Sequence, residues 1–289
     1  MKHIILYNKL AGHARAHQTV EQIAEKYESS LLIDLTEADA YTKLYVELCS
    51  EDEIVICGGD GTLNHFVNNT KHDPLPNRIF YCAMGSGNDF LRDIGADGEH
   101  IIEITEHLKN LPSVTVNGVE YLFINGIGFG IDGYCCEVGD ALKAKSDKPV
   151  NYALIAIKGL LFHFKPRNAI VRVDGIEYKF RKCWICPTMN GRYYGGGMMP
   201  TPNQDRHNPD GKLSFLSFHG SGKLKTLAIF PSLFKGGHVK HTNHVTIIEG
   251  REFEVIFDVH TALQIDGETV TQVTSYKVSA AVTSYATRK

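Results

Sequence analysis

The chain of 289 residues carries 30 Lys and Arg against 33 Asp and Glu, a net charge of −3 that offers no basic face for sequence-independent nucleic-acid binding. Its composition, 43% hydrophobic and 22% charged, is that of an ordinary globular protein long enough for two cores, and seven cysteines speak for reduced thiols over a disulfide framework. No apolar run approaches the roughly 18–20 residues of a membrane span, and the apolar run at 4–7 is too short for a secretion signal, so a cytoplasmic protein is expected.

In chain order, residues 3–8 read as a short apolar strand, followed by a helix with Val20, Ile23, Ala24 and Tyr27 on one face. A second strand, SLLIDL at 30–35, leads into a helix through Tyr41, Leu44, Tyr45 and Leu48. EIVIC at 53–57 and IFYCAM at 79–84 are two further strands, each leaving into a glycine turn and then a helix. This alternation predicts an α/β domain over residues 1–113, a parallel sheet flanked by helices, with its ligand site at the carboxyl ends of the strands.

From about Val114 the pattern changes to strand–turn–strand units, with Asn117-Gly118 and Asp174-Gly175 as hairpin signals. VTIIEGREFEVIF and TALQIDGETVT continue it, and helices interrupt at roughly 133–145, 152–164 and 223–235. Residues 114–289 therefore read as a β-rich α+β domain, whose end is free to return to the first domain.

The chemistry concentrates in the glycine turns. Gly58-Gly59-Asp60-Gly61-Thr62 closes a buried strand, so bare backbone amides and a helix N-terminus can approach an anion, with the Thr62 hydroxyl in the first helical turn. Asp60 is the odd member, repulsive to phosphate unless a metal or proton mediates; as a plain turn residue it would be an N-cap. A second turn, Gly85-Ser86-Gly87-Asn88, follows the neighbouring strand, and together the two predict a two-walled phosphate cradle. Neither is a Walker A loop or a G-x-G-x-x-G fingerprint.

GGDGTLN at 58–64 followed by GSGNDF at 85–90 resembles the catalytic domain of the bacterial diacylglycerol kinase and lipid kinase family, relatives of sphingosine kinases. GGDGT alone would also fit NAD kinases and phosphofructokinases, whose nucleotide-binding fold the first domain should share; the second turn argues against both. Asn8 and Gly12 match the family's opening motif in part, and Thr36 sits where it has a nucleotide-contacting threonine. NGIGFGID at 125–132, GGGMMPTPNQDRHNPDGKLSF at 195–215 and DGE at 266–268 follow in family order. Two departures stand out: Lys9-Leu10-Ala11 replaces Pro-x-Ser, and no acidic residue lies around Pro112-Ser113.

The resemblance implies phosphoryl transfer from ATP, with Mg²⁺, to a lipid hydroxyl at a membrane surface, diacylglycerol being the leading candidate. The nucleotide should be held by Asn8, Thr36, Gly58, Gly59, Asp60, Gly61, Thr62, Gly85, Ser86, Gly87 and Asn88, in a site between the two domains. Asp266 is the expected base, with Glu268 as its orienting partner or the base itself, while Asp60 acts through Mg²⁺. Asp210, with the backbone carbonyls of His207 and Lys212, is expected to hold a structural Mg²⁺. A homodimer and transient membrane association are compatible with the resemblance. A kinase of NAD or another metabolite, and a weakly active lipid-binding regulator, stand as alternatives.

Other features read as packing. His238, His241 and His244, three apart before a β-rich stretch, do not gather on one face. Cys183-x-x-Cys186 lacks a second pair, and Cys135-Cys136 fits helix packing. NYALIAIKGLLFHF at 151–164 is either a buried helix or one lining a lipid entrance.

Overall fold

The computed structural model describes residues 1–9, 16–85, 87–98, 100–145 and 150–283. They form two compact units, one of Met1–Leu111 with Val282 and Thr283, the other of Pro112–Ala281.

In the first unit β1 (His3–Tyr7), β2 (Ser30–Asp34), β3 (Glu53–Gly58), β4 (Ile79–Ala83) and β5 (Ile102–Glu103) form one sheet in the order β2-β1-β3-β4-β5. The first four strands are parallel, as their alternation with helices requires; β5 is too short to have been legible and runs antiparallel to β4. Central β3 is buried along its whole length, which is why EIVICG reads as a continuous apolar run. The helices are α1 (Ala16–Ala24), α2 (Ala40–Glu47), α3 (Asp60–Thr70) and α4 (Asp89–Ile94). Val20 and Ile23 of α1 pack with Ile5, Val55 and Cys57 on one face of the sheet.

The second unit is built on a ten-stranded sheet. Its strands are β6 (Leu111–Val116), β7 (Val119–Leu122), β8 (Gly126–Gly130), β9 (Arg167–Val173), β10 (Ile176–Cys183), β11 (Ile185–Met189), β12 (Leu213–Phe218), β13 (Val245–Gly250), β14 (Glu252–Ile265) and β15 (Glu268–Thr283). The two-residue turns Asn117-Gly118, Asp174-Gly175 and Asp266-Gly267 close the hairpins β6–β7, β9–β10 and β14–β15. VTIIEGREFEVIF, in contrast, is no hairpin: β13 pairs with β12, and β14 with β8, β9 and β15. The Asp174 carboxylate accepts the N–H groups of Arg251 (3.0 Å) and Glu252 (2.8 Å), which draws the start of β14 to the β9–β10 turn.

Helices α5 (Ile131–Lys143), α6 (Tyr152–Lys158) and α7 (Lys223–Ile229) cover part of this sheet. The expected helix at 152–164 widens after Lys158 into a π-helical turn over Gly159–His163. The one at 223–235 breaks at Ile229 into a 3₁₀ turn that contains Pro231, whose missing N–H cannot sustain an α-helix. Cys183 and Cys186 are buried in the sheet with their sulfurs 3.8 Å from the Ser217 hydroxyl, and His238 is buried with Nε2 2.7 Å from the Pro200 carbonyl.

Candidate active site

The strand order of the first unit lines up most of the expected nucleotide residues on one edge. Thr36 follows β2, Asn8 follows β1, Gly58–Thr62 lead from β3 into α3, and Gly85, Gly87 and Asn88 follow β4, all at carboxyl ends. Connections run outward from β1 to β2 and from β3 to β4, so the crevice between the ends of β1 and β3 is the topological switch point, where open α/β sheets bind ligands. Ser86 and Gly12 lie outside the described residues.

The two glycine turns touch backbone to backbone. A Cβ on Gly59 would come 3.2 Å from the Gly85 Cα, a tight fit, and one on Gly85 would come 2.7 Å from the Gly59 Cα, where the backbone must shift. Asp60 locks the same junction. Its Oδ2 accepts the Asp89 N–H (3.0 Å) and its Oδ1 the Phe90 N–H (2.9 Å), while Asn88 takes the left-handed conformation (φ 49°) that aims these donors. Asp60 is therefore not the N-cap of α3, a position held by Gly59 in extended conformation; it is the first helical residue and caps the neighbouring turn instead. At Gly58 the room a Cβ would take is filled by the Thr62 side chain, 2.4 Å from that point. The Thr62 hydroxyl thus packs inward, and α3 presents first-turn backbone N–H groups, which have no intrahelical acceptor.

One residue of this edge was not singled out by sequence reading. The buried Asp34 carboxylate, at the end of β2, accepts the Thr36 N–H (3.0 Å) and hydroxyl (2.9 Å) and lies 3.1 Å from the Lys9 ammonium. Burial alone would raise its pKa, but these bonds from Thr36 and Lys9 outweigh it and hold the carboxyl below its ordinary value. An acidic residue ending the second strand of an α/β unit was the available signal. Lys9, a departure from the family motif, acts here as the partner of Asp34.

In the second unit, Asp266 and Gly267 are both left-handed (φ 48° and 95°), the two-residue turn that matches strand twist. The Asp266 carboxylate does not face outward as a base would. It is buried and accepts three backbone N–H groups, from Ile124 (2.5 Å), Asn125 (2.8 Å) and Gly126 (2.9 Å). The Asp266 carboxylate thus ties the β14–β15 turn to the NGIG segment. Glu268, the first residue of β15, is exposed, and its neighbour Thr269 donates to Asp140 at 2.7 Å.

Behind this turn Gln264 accepts the Gly267 N–H (2.9 Å) through its side-chain oxygen. The fully buried Asp132, in the first turn of α5, has the Tyr194 hydroxyl 3.4 Å from Oδ2. Burial raises its carboxyl to about 7, against the lowering effect of N–H groups at Gly133 and Asp132 and of Tyr194 and Gln264. With the folded pKa raised above the ordinary 3.8, stability present below that value is lost as pH rises through about 7. Between pH 5 and 8, thermal unfolding of wild type should therefore lose ground relative to Asp132→Asn; parallel melting curves would refute this.

The expected structural Mg²⁺ at Asp210 does not fit the loop. The Lys212 carbonyl, one of the expected ligands, accepts the Asn208 Nδ2 (2.7 Å) and the Gln204 Nε2 (3.0 Å). Asn208 also donates to the Asp205 carbonyl (2.7 Å) and accepts the Lys212 N–H (2.8 Å). The Asp210 carboxylate is exposed, 3.6 Å from the Lys212 ammonium, and its carbonyl accepts the Arg251 guanidinium through Nε at 2.7 Å. Among the described residues no group of three His, Cys, Asp or Glu side chains could hold a metal ion. Two amide donors occupy the Lys212 carbonyl, one of the oxygens such a cation would need. In the absence of nucleotide, a chelator should leave the melting temperature unchanged, whereas Asn208→Ala should cost about 1–3 kcal/mol for its lost hydrogen bonds. A chelator-induced drop reversed by Mg²⁺ would contradict this.

Comparison with known proteins agrees with this architecture. Residues 2–119 match the family described as "Diacylglycerol kinase catalytic domain", and residues 125–282 the "YegS C-terminal NAD kinase beta sandwich-like domain". A diacylglycerol kinase of Mycobacterium tuberculosis is 24% identical over 251 residues, 81% of this chain and 79% of the relative. One from Bacillus subtilis is 23% identical over 279 residues, 91% and 88% of the two chains. In fold, a diacylglycerol kinase structure from Bacillus anthracis superposes with a TM-score of 0.62 at 18% identity, covering 96% of this chain and 93% of that one. With both of its parts matched in order, the chain belongs to the diacylglycerol kinase family of lipid kinases, a catalytic domain followed by a YegS-type β-sandwich-like domain.

Proposed function

We propose that this protein transfers the γ-phosphoryl group of ATP to the free hydroxyl of diacylglycerol. The observation that carries the nucleotide half of this reading is the pair of glycine turns joined at Gly59 and Gly85 and locked by Asp60, at the carboxyl edge of a parallel sheet. Bare backbone and the N-terminus of α3 there favour phosphate oxygens. Asn8 and Thr36 stand further along that edge, suited to the nucleoside. Mg²⁺, when bound with ATP, neutralises charge on the phosphates. Asp60 is the carboxylate of the turn, and each carboxylate oxygen has capacity for more than one donor, so it fits a water on that ion while capping α4.

An alcohol attacks phosphorus effectively only if its proton is taken as the bond forms. With Asp266 buried and engaged by three N–H groups, Glu268 is the exposed carboxylate of the same turn, and we assign it as the base. Asp266 and Gln264 then fix the turn that carries it. The experiment is incubation of the full chain with labelled ATP, Mg²⁺ and diacylglycerol vesicles. Labelled phosphatidic acid is the expected product; its absence, with ATP still bound, would remove diacylglycerol as the acceptor.

A further inference from the structure

Two of the seven cysteines meet at the root of the glycine turns. Cys57 stands directly before Gly58 on β3, and Cys82 stands on neighbouring β4, just ahead of the turn at Gly85. The strands are parallel and pair Cys57 with Cys82 in register. Both side chains therefore lie on one face of the sheet, Cys57 in the core with Ile5, Val20 and Val55, and Cys82 packed against that core. The Cys57 thiol donates a hydrogen bond to the Cys82 sulfur. Neighbouring strands stand about 4.8 Å apart, inside the Cα separation of roughly 4.4–6.8 Å that a disulfide bridges. Cys57 is buried, but Cys82 is partly exposed, so a small solute can reach it.

The pair divides the roles of a thiol oxidation. The hydrogen bond from Cys57, with the Lys26 ammonium, holds the Cys82 thiol below its ordinary value against the effect of burial. The same bond and burial push the Cys57 thiol up, so it keeps its proton. Cys82 is thus the attacking sulfur and Cys57 the resolving one. With a peroxide as oxidant, the Cys82 thiolate attacks one oxygen: the S–O bond forms, the O–O bond breaks, and the second oxygen takes up a proton and leaves as water. The Cys57 sulfur then attacks the Cys82 sulfur: the S–S bond forms, the S–O bond breaks, and hydroxide leaves with the Cys57 proton as water. Two thiols are oxidised to a disulfide, and the peroxide is reduced. That bond would act on the glycine turns. Gly58 and Ala83 are the next pair in register, the Gly58 carbonyl accepts the Met84 N–H (2.8 Å) and the Tyr81 hydroxyl (3.0 Å), and Gly59 then meets Gly85. Drawing the two sulfurs to about 2.05 Å turns the strand ends toward each other, where the turns already touch backbone to backbone.

We propose that Cys57 and Cys82 form a peroxide-sensing dithiol, whose closure to a disulfide weakens ATP binding at the adjacent glycine turns. The proposal rests on reading those turns as the nucleotide site, and one experiment separates the two. The full chain, reduced or treated with hydrogen peroxide, is titrated with ATP by calorimetry and mapped by mass spectrometry after its free thiols are blocked. Reduced protein should bind ATP. Peroxide should link the peptides of Cys57 and Cys82 with loss of two hydrogens and lower ATP affinity about tenfold, and dithiothreitol should restore it. Because linkage is reciprocal, saturating ATP should favour the dithiol by the same factor in a glutathione redox titration. Cys82→Ala should bind ATP like reduced wild type and lose the response to peroxide. Cys49→Ser, at an exposed thiol elsewhere, should respond as wild type does. No ATP binding by the reduced protein would reject the nucleotide reading and the switch with it. ATP binding without the link, a link that leaves ATP affinity unchanged, or oxidation of Cys82 to its sulfinic acid alone would overturn the switch and leave the nucleotide reading in place.

Discussion

Glu268→Gln should lower kcat on diacylglycerol by about 10²–10⁴-fold, the usual contribution of a general base, with ATP affinity unchanged. The substitution keeps the shape of an exposed side chain on β15 and removes only its capacity to accept a proton. Asp266→Asn should behave differently. An amide presents one acceptor and one donor to three backbone N–H groups, so the clamp on Ile124–Gly126 is broken and stability falls by about 1–3 kcal/mol. The two variants separate by readout: Glu268→Gln changes turnover at constant melting temperature, and Asp266→Asn lowers the melting temperature. If Glu268→Gln kept wild-type kcat, the base would have to be sought elsewhere, with Asp60 first.

Gly59→Val should reduce ATP affinity by at least about 100-fold, or about 2.7 kcal/mol, while the circular dichroism spectrum stays that of the wild type. The Cβ alone would stand 3.2 Å from the Gly85 backbone, and the branched methyls need still more room where the two turns meet. Gly85→Ala should act in the same direction, because its Cβ would meet the Gly59 Cα at 2.7 Å and backbone must shift. Both changes separate the two glycine turns without touching the core of Ile5, Val20, Val55 and Cys57. Unchanged ATP affinity by calorimetry in both variants would place the nucleotide elsewhere.

The alternation of apolar strands with amphipathic helices made the first unit legible, because parallel strands demand crossover helices. Asn-Gly and Asp-Gly pairs marked hairpins in the second unit for an equally local reason, the left-handed backbone those turns require. What escaped is non-local. The Asp266 carboxylate meets residues some 140 positions away, so nothing around DGE reveals that it points inward. Asp60 reaches Asp89 and Phe90 in the same way, so even its plain-turn alternative, a cap of its own helix, gave no sign that it caps another. At the Asp210 loop, Asp-Gly-Lys-Leu fits the family pattern, but the amides of Asn208 and Gln204 supply donors to the Lys212 carbonyl, where a cation was expected. Segment 151–164 posed buried helix against lipid contact, and it shows one apolar face inward and another outward, which a periodicity argument does not separate when both are apolar.

The central claim is that this fold phosphorylates a membrane lipid. It is tested most directly by incubating the protein with labelled ATP and Mg²⁺ in parallel against vesicles of extracted membrane lipid supplemented with diacylglycerol, and against NAD. The account predicts label in phosphatidic acid, lost with Glu268→Gln and with Gly59→Val, and none in NADP. Label in NADP alone, or no labelled lipid from a protein that binds ATP, would contradict it.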